Sequence, residues 1–176
     1  MDAPAATQAL KTFFSCPRFA VAGASSDPAK FGNKSTSPLF SWYLTHSLPA
    51  TPLNPRAATI SALNSTHATL ASPAALPAPA DTALSVVTPP KATLALLREA
   101  QAAGVRAVWL QPGTWDEAVE RFVLEGEGDD KKEPFAAALF GHRWGGGGHE
   151  GWCVLVDGEE GLRAAGREWE GRKGRI

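Results

Sequence analysis

The chain has 176 residues, and its 17 basic and 18 acidic side chains give a formal net charge of −1, which excludes a general basic surface for nucleic acid or anionic lipid. This length suits one domain with a sizeable core. Because the start of the chain lacks a secretory pattern, no segment is apolar for long enough to span a bilayer and only two cysteines are present, we expect a cytoplasmic protein without a disulfide framework.

The first half of the chain alternates helical patterns with short apolar runs. The spacing predicts, in chain order, a helix over Thr7–Phe14, a strand over Phe19–Ala22, a helix over about Ser35–His46 and a strand over Ala50–Leu53. The second helix has an alternative start at Asn33, which would place Pro38 inside it. The following stretch, 57–79, is rich in Ala, Ser, Thr and Pro, and we interpret it as a connection with an extended piece near His67–Leu70 and a helical turn over Pro73–Leu76.

The second half continues the alternation. The predicted elements are a strand over Ala83–Val87, a helix over Lys91–Ala103, a strand over Ala107–Leu110, a helix over Trp115–Leu124, a strand over Trp152–Val156 and a helix over Glu159–Trp169. Residues 125–151 break the pattern with a charged run and four consecutive glycines, so we expect there a surface excursion with a helical middle, or partial disorder. Residues 1–176 are therefore interpreted as one domain with an inserted excursion at about 125–151.

Strands that alternate with helices, without a hairpin signal, predict an α/β fold in which about five parallel strands form the middle of three layers, with helices on both faces. In such a sheet ligands bind beyond the carboxyl ends of the strands. Four predicted strands end in turn-forming or polar residues, which begin at Gly23, Asn54, Thr88 and Gln111. These four strand ends are expected to converge on one crevice.

The residues after the first strand favour a phosphate ligand. Gly23 is followed by Ala24, Ser25 and Ser26, and small side chains at a strand-to-helix turn let phosphate oxygens approach backbone N–H groups at the positive end of a helix. The second strand ends in Asn-Pro-Arg, whereas an NAD site normally has an acidic residue there. The guanidinium of Arg56 favours an extra ribose phosphate, as in NADP or a 3′-phosphorylated adenosine.

Four ordered motifs resemble those of the small CoA-binding domain proteins, whose Rossmann-like domain is similar to the N-terminal domain of the succinyl-CoA synthetase α subunit. The motifs are Val-Ala-Gly-Ala-Ser-Ser-Asp-Pro-Ala-Lys-Phe-Gly-Asn-Lys from Val21, Pro-Leu-Asn-Pro-Arg from Pro52, Val-Thr-Pro-Pro from Val87 and Ala-Val-Trp-Leu-Gln-Pro-Gly from Ala107. The resemblance implies a Rossmann-like fold and a nucleotide-binding site for coenzyme A or an acyl-CoA.

The resemblance also implies a role for each strand end. The residues that it assigns to the pyrophosphate loop are Gly23, Ala24, Ser25, Ser26, Lys30 and Gly32. Those assigned to the rest of the ligand are Asn54, Pro55, Arg56, Val87, Thr88, Pro89, Pro90, Gln111, Pro112 and Gly113. The chain lacks the domain that carries the phosphorylated histidine of the synthetase, so ligase chemistry is not implied.

Two other interpretations stay open. The first is an NADP-dependent oxidoreductase, although Tyr43 is the only tyrosine and Ser47 stands where a Tyr-x-x-x-Lys pair would need lysine. The second is a nucleotide fold that has lost its ligand and acts as an interaction module through residues 125–151. His142, His149 and Cys153 fit no standard zinc spacing, so we expect no metal site. We find no catalytic constellation, and non-catalytic binding of CoA or an acyl-CoA is favoured over NADP.

Overall fold

The computed structural model describes residues 3–26, 33–127, 133–141 and 152–167. Its strands are β1 (Arg18–Ala22), β2 (Ala50–Leu53), β3 (Thr59–Ala62), β4 (Ser65–Ala68), β5 (Thr82–Val86), β6 (Ala107–Leu110) and β7 (Ala137–Phe140). Five of them form one parallel sheet in the order β2-β1-β5-β6-β7, and β3 and β4 form a separate antiparallel pair. Every residue of β5 and of β6 is buried, as expected for inner strands with both faces covered.

Helices cover both faces of this sheet. They are α1 (Ala3–Ser15), α2 (Asn33–Thr45), α3 (Pro90–Ala103), α4 (Glu117–Glu125) and α5 (Val154–Ala164). One buried cluster joins α1, α2 and α5 to side chains such as Phe19 and Val21 of β1, and the other joins α3 and α4 to Ala20 and Ala22 of the same strand. The alternation of side chains along β1 thus separates two cores, and the predicted three-layer α/β fold is confirmed.

Local chemistry sets several helix ends. Asp116 caps α4, because its Oδ1 accepts hydrogen bonds of 3.1 Å from the backbone N–H groups of Ala118 and Val119. Gly104 ends α3 in a left-handed conformation with φ 83°. The alternative start of α2 at Asn33 is the observed one, with Pro38 inside the helix. In the described part of the chain, no helix is both long and apolar enough to cross a membrane.

The prediction that the chain contains no hairpin is wrong. β3 and β4 pair with Ala62 opposite Ser65, so the turn consists of Leu63 and Asn64. Both turn residues have positive φ, 49° and 59°. Two-residue hairpin turns are usually recognised in a sequence by Asn-Gly or Asp-Gly. The turn here is Leu-Asn, which is not typical of a hairpin, so the sequence predicts only a connection.

Two further predictions are wrong at the end of the sheet. Residues 137–140, placed by the sequence in an excursion with a helical middle, form β7 and pair with β6 over its whole length. The stretch Trp152–Val156, predicted as the last strand, instead leads into α5, which begins at Val154 and not at Glu159. The sheet therefore has the expected five strands, but its edge strand comes earlier in the chain than predicted.

Two glycines of α5 allow this helix to pack closely on α2 and α1. A Cβ atom at Gly158 would lie 2.4 Å from Cζ2 of Trp42 in α2, and one at Gly161 would lie 2.4 Å from Cδ2 of Phe14 in α1. The segment just before α5 is joined to the sheet, because the indole N–H of Trp109 in β6 donates a hydrogen bond of 3.0 Å to the carbonyl oxygen of Trp152. The N-terminus of α5 thus lies at the carboxyl edge of β6 and β7.

Candidate functional site

The order of strands creates one crevice at the carboxyl edge of the sheet. From β1 the chain moves to β2 on one side, and it then crosses to β5 on the other side of β1. In open parallel sheets, ligands bind where the strand order reverses in this way. The loop after β1, which begins at Gly23, therefore lies at the expected position of a ligand, between the loops after β2 and β5.

Gly23 has a conformation and a packing that no other residue would tolerate without strain. Its φ is +89°, and a Cβ atom there would lie 2.9 Å from the carbonyl oxygen of Val87. Its N–H donates to the carbonyl oxygen of Leu53 at 3.1 Å, and the N–H of Val87 donates to the carbonyl oxygen of Ala22 at 2.9 Å. The three central loops of the crevice are thus held together by backbone contacts at this glycine.

Asn54 joins two of these loops through its side chain. Its Nδ2 donates a hydrogen bond of 2.7 Å to the carbonyl oxygen of Ala24 in the loop after β1. Its Oδ1 accepts from the backbone N–H groups of Arg56 at 2.8 Å and Ala57 at 3.1 Å, which closes the turn after β2. The sequence predicted Asn54 as a binding residue, and its observed contacts are those of a residue that positions the loops.

The predicted phosphate loop is partly enclosed. Ala24 and Ser25 are buried, whereas Ser26 is exposed, and the Oγ of Ser26 accepts a hydrogen bond of 2.6 Å from the backbone N–H of Ser61 in β3. The hairpin that sequence reasoning missed is thereby the outer wall of this loop. Lys30 and Gly32, predicted in the same loop, lie outside the described residues.

Arg56 carries the positive charge expected beside the crevice. Pro55 and Arg56 are both exposed, and the guanidinium of Arg56 makes no hydrogen bond or ion pair with any residue in the described ranges. Its backbone position is nevertheless fixed by the turn that Asn54 closes. A fixed backbone and an uncommitted guanidinium suit a contact with an anion from solution.

The loop after β5 leads directly into a helix. Val87 is buried, Thr88 is half-buried and Pro89 is exposed, and Pro90 is the first residue of α3. The hydroxyl of Thr93, one turn into α3, donates to the carbonyl oxygen of Thr88 at 3.0 Å, and the two threonine hydroxyls are 2.8 Å apart. The N-terminus of α3, with its partial positive charge, thus lies beside the crevice.

The loop after β6 forms the far wall and contacts α5. Gln111 and Gly113 are buried, Pro112 is exposed, and Gly113 has φ +80°. The Oε1 of Gln111 accepts a hydrogen bond of 3.1 Å from the backbone N–H of Val154, the first residue of α5. Sequence reasoning missed Val154 because it placed that residue in a strand.

Other reactive groups lie away from the four loops or are held neutral. The hydroxyl of Tyr43 is fully buried at 2.7 Å from Oγ of Ser85, and burial raises the pKa of Tyr43 well above its ordinary value. Burial also raises the pKa of the Cys153 thiol, which keeps it protonated near neutral pH. Among the described residues, no group of three His, Cys, Asp or Glu could hold a metal ion, and His142 and His149 lie outside them.

Comparison with known proteins identifies relatives of this fold. A family model described as CoA binding domain matches residues 17–128. A protein from Thermus thermophilus, described as cell-free ID.343, is 25% identical, with a TM-score of 0.59 over 88% of this chain and 98% of its own. A hypothetical protein from Pyrococcus horikoshii OT3 is 18% identical, with a TM-score of 0.62, and the match covers 89% of this chain and 92% of that one; this likeness is one of fold alone. A conserved hypothetical protein from Pyrococcus furiosus is 31% identical, with a TM-score of 0.49, and the match covers 60% of this chain and 83% of that one. A search of curated proteins found no match.

Proposed function

The chain belongs to the family of CoA binding domains, and on that premise we propose that it binds coenzyme A or an acyl-CoA, without catalysis, across the carboxyl ends of β2, β1, β5 and β6. The observation that carries this proposal is the uncommitted guanidinium of Arg56. It stands on a turn that Asn54 closes and joins to the loop after β1. Such a cation beside a phosphate loop suits a nucleotide with a phosphate on its ribose.

We expect each part of the ligand to meet a different part of the crevice. The pyrophosphate would lie on the backbone of Gly23–Ser26, where small side chains permit close approach and α2 follows. The 3′-phosphate of the adenosine would meet Arg56, and Val87–Pro90 would contact the nucleotide beside the N-terminus of α3. Lys30 and Gly32 complete the proposed loop, and Gln111–Gly113 form its neighbouring wall.

The non-catalytic part of the proposal is supported by the state of the reactive side chains. Tyr43, the only tyrosine, has its hydroxyl buried in the core against Ser85, so it is not available as a proton donor to a carbonyl substrate. Burial raises the pKa of both Cys16 and Cys153, which disfavours the nucleophilic thiolate. These features also weigh against the NADP-dependent oxidoreductase.

Isothermal titration with CoA and dephospho-CoA tests the role of Arg56. If the guanidinium makes a charge-assisted contact worth about 1.5–3 kcal/mol, Arg56→Ala should weaken CoA about ten- to hundredfold and leave dephospho-CoA nearly unchanged. The matched control is Arg18→Ala, because Arg18 is exposed at the amino end of β1, the opposite edge of the sheet. Equal losses for both ligands would contradict a contact with the 3′-phosphate.

A thermal shift assay tests the ligand class itself. A ligand at about a hundred times its dissociation constant stabilises the folded state by roughly 2.7 kcal/mol, a shift of several degrees for a domain of this size. We expect CoA to raise the midpoint more than dephospho-CoA, NADP or NAD at the same concentration. A shift for NADP alone would support the oxidoreductase, and no shift for any nucleotide would support the interaction module.

A further inference from the structure

The side chain of Gln111 contains a buried donor that no group in the described part of the chain satisfies. The residue is 2% exposed, and its Nε2 is buried without a hydrogen-bond partner. The orientation of the amide is fixed, because Oε1 accepts from the N–H of Val154 and the reverse orientation would set N–H against N–H. A buried N–H without an acceptor is costly, and such a group calls for a ligand or water oxygen.

Apolar side chains are exposed in the first turn of α5, whose first residue is bonded to Gln111. Leu155 and Val156, the two residues after Val154, are 43% and 78% exposed. Only two other large hydrophobic side chains in the described ranges are exposed, Leu63 and Leu124, and they stand alone on other elements. The small apolar surface of α5 thus begins directly after the residue that is bonded to Gln111.

The place of this pair along the sheet relates it to the proposed ligand. Arg56 follows β2 and Gln111 follows β6, and the strand order β2-β1-β5-β6 puts three strand spacings, about 14 Å, between these two strands. In coenzyme A the ribose phosphate is at one end and the sulfur at the other, with the pyrophosphate and the pantetheine arm between. If the 3′-phosphate lies at Arg56 and the pyrophosphate at the loop after β1, the arm runs toward Gln111.

We propose that the preferred ligand is an acyl thioester of coenzyme A, whose carbonyl oxygen accepts a hydrogen bond from Nε2 of Gln111 and whose acyl chain lies on Leu155 and Val156. This inference rests on the proposed function. A carbonyl attached to a hydrocarbon matches a donor next to an apolar surface, whereas the free thiol of CoA matches neither. Because Nε2 is buried, Gln111 and Val154 must shift together, with the hydrogen bond between them kept, for the carbonyl to reach this donor.

Titration with CoA, butyryl-CoA and S-butyl-CoA tests this proposal, since S-butyl-CoA is a thioether that keeps a butyl chain but lacks the carbonyl. Butyryl-CoA should bind about fivefold more tightly than S-butyl-CoA, the effect of one neutral hydrogen bond. Each added buried methylene should improve affinity by up to about fourfold. If CoA itself fails to bind, the proposed function fails with the inference. If CoA binds and the thioester and thioether bind equally, only the inference is overturned.

Two variants separate the polar from the apolar contact. Gln111→Glu keeps an oxygen for the N–H of Val154 but loses the donor once its carboxyl ionises. Burial raises the pKa of that carboxyl, so the preference for thioester over thioether should disappear as the pH rises from about 7 to 9. Val156→Ser should remove the gain with chain length. The control is Leu124→Ser, which also replaces an exposed apolar side chain by serine but lies in α4. It should alter neither the preference for the thioester nor the dependence on chain length. A persistent preference in Gln111→Glu, or persistent chain-length dependence in Val156→Ser, would contradict the proposed contacts.

A spectroscopic measurement on the unaltered chain gives an independent readout. The side-chain amide resonances of Gln111 should shift when butyryl-CoA is added and shift less with S-butyl-CoA, because only the thioester offers a carbonyl oxygen to Nε2. The backbone amide of Val154 should change with them, since it is bonded to the same side chain. Gln111 resonances that respond identically to both ligands would overturn the proposal even if the variants failed to fold.

Discussion

The side-chain amide of Asn54 donates a hydrogen bond of 2.7 Å to the carbonyl oxygen of Ala24, and this bond joins the loop after β2 to the loop after β1. The same side chain accepts two backbone N–H groups through Oδ1. One residue therefore sets the position of the predicted phosphate loop relative to Arg56. The two loops are expected to work as a unit, so a change at Asn54 should affect the ligand even without direct contact.

Asn54→Asp should lower both stability and CoA affinity. The substitution keeps the acceptor for the two backbone N–H groups, but it replaces the donor to Ala24 by a carboxylate oxygen. We expect the free energy of unfolding to fall by about 1–2 kcal/mol and CoA to bind at least about tenfold more weakly, because the carboxylate also repels phosphate. Urea denaturation and isothermal titration measure the two effects.

The control for Asn54→Asp is Asn64→Asp in the turn between β3 and β4. Asn64 is exposed and has φ 59°, a conformation that aspartate also adopts. The added charge is the same, but the loop contact is absent. Equal losses of CoA affinity in the two variants would show that net charge, and not the bond to Ala24, explains the effect.

Gly23→Ala should be more damaging than the same change at Gly104. Both glycines have positive φ, +89° and +83°, but a Cβ atom at Gly104 meets nothing within 4 Å, whereas one at Gly23 lies 2.9 Å from the carbonyl oxygen of Val87. The conformational cost of about 1–2 kcal/mol is common to both. The loss of unfolding free energy in Gly23→Ala, minus the loss in Gly104→Ala, therefore measures the cost of the close approach between the loops after β1 and β5. A difference near zero would mean that the loop of Val87 moves aside freely.

Much of the fold could be predicted from the sequence because apolar runs of strand length stand between clear turn residues. This holds for β1, β2, β5 and β6, where Gly23, Asn54, Thr88 and Gln111 follow the strand ends, and these are also the loops of the candidate site. The same logic failed at Trp152–Val156, because a short apolar run does not distinguish a strand from the start of a buried helix.

The hairpin and the start of α5 could not be predicted from the sequence, for reasons that are visible only in three dimensions. The hairpin depends on positive φ at Leu63, a conformation that leucine rarely adopts, so no local signal announces it. Helix α5 contains Gly158 and Gly161, which lower helix propensity, and their presence is explained by the rings of Trp42 and Phe14 that pack against them. Within the site, the role of Ser61 as a donor to Ser26 was missed together with the hairpin.

Gly161→Ala should destabilise the protein although alanine favours a helix. Helix propensity alone would stabilise by about 1 kcal/mol, but the added Cβ lies 2.4 Å from the ring of Phe14, which is fully buried. Overpacking of this kind costs about 1–3 kcal/mol, so we expect a net loss of stability. In a Phe14→Leu background the loss should shrink or reverse, and a double-mutant cycle by urea denaturation measures that coupling. If the cycle shows no coupling, α5 moves as a rigid body away from Phe14 and the added Cβ atom does not press on that ring.

Stability should decline at alkaline pH because buried thiols resist ionisation. Burial raises the pKa of Cys16 and Cys153 above the ordinary value of 9.0, and nearby Arg106 and Arg167 only partly oppose this at Cys16. Above about pH 9 the unfolded chain therefore releases thiol protons that the folded chain retains, so the free energy of unfolding falls as pH rises. Below about pH 8 the thiols are protonated in both states, and the free energy of unfolding does not depend on them. Urea denaturation between about pH 7 and 10 measures this decline. In the double variant Cys16→Ala, Cys153→Ala the free energy of unfolding should fall less steeply over the alkaline range. An unchanged slope in that variant would assign the decline to other groups, such as Tyr43, whose pKa is also raised by burial.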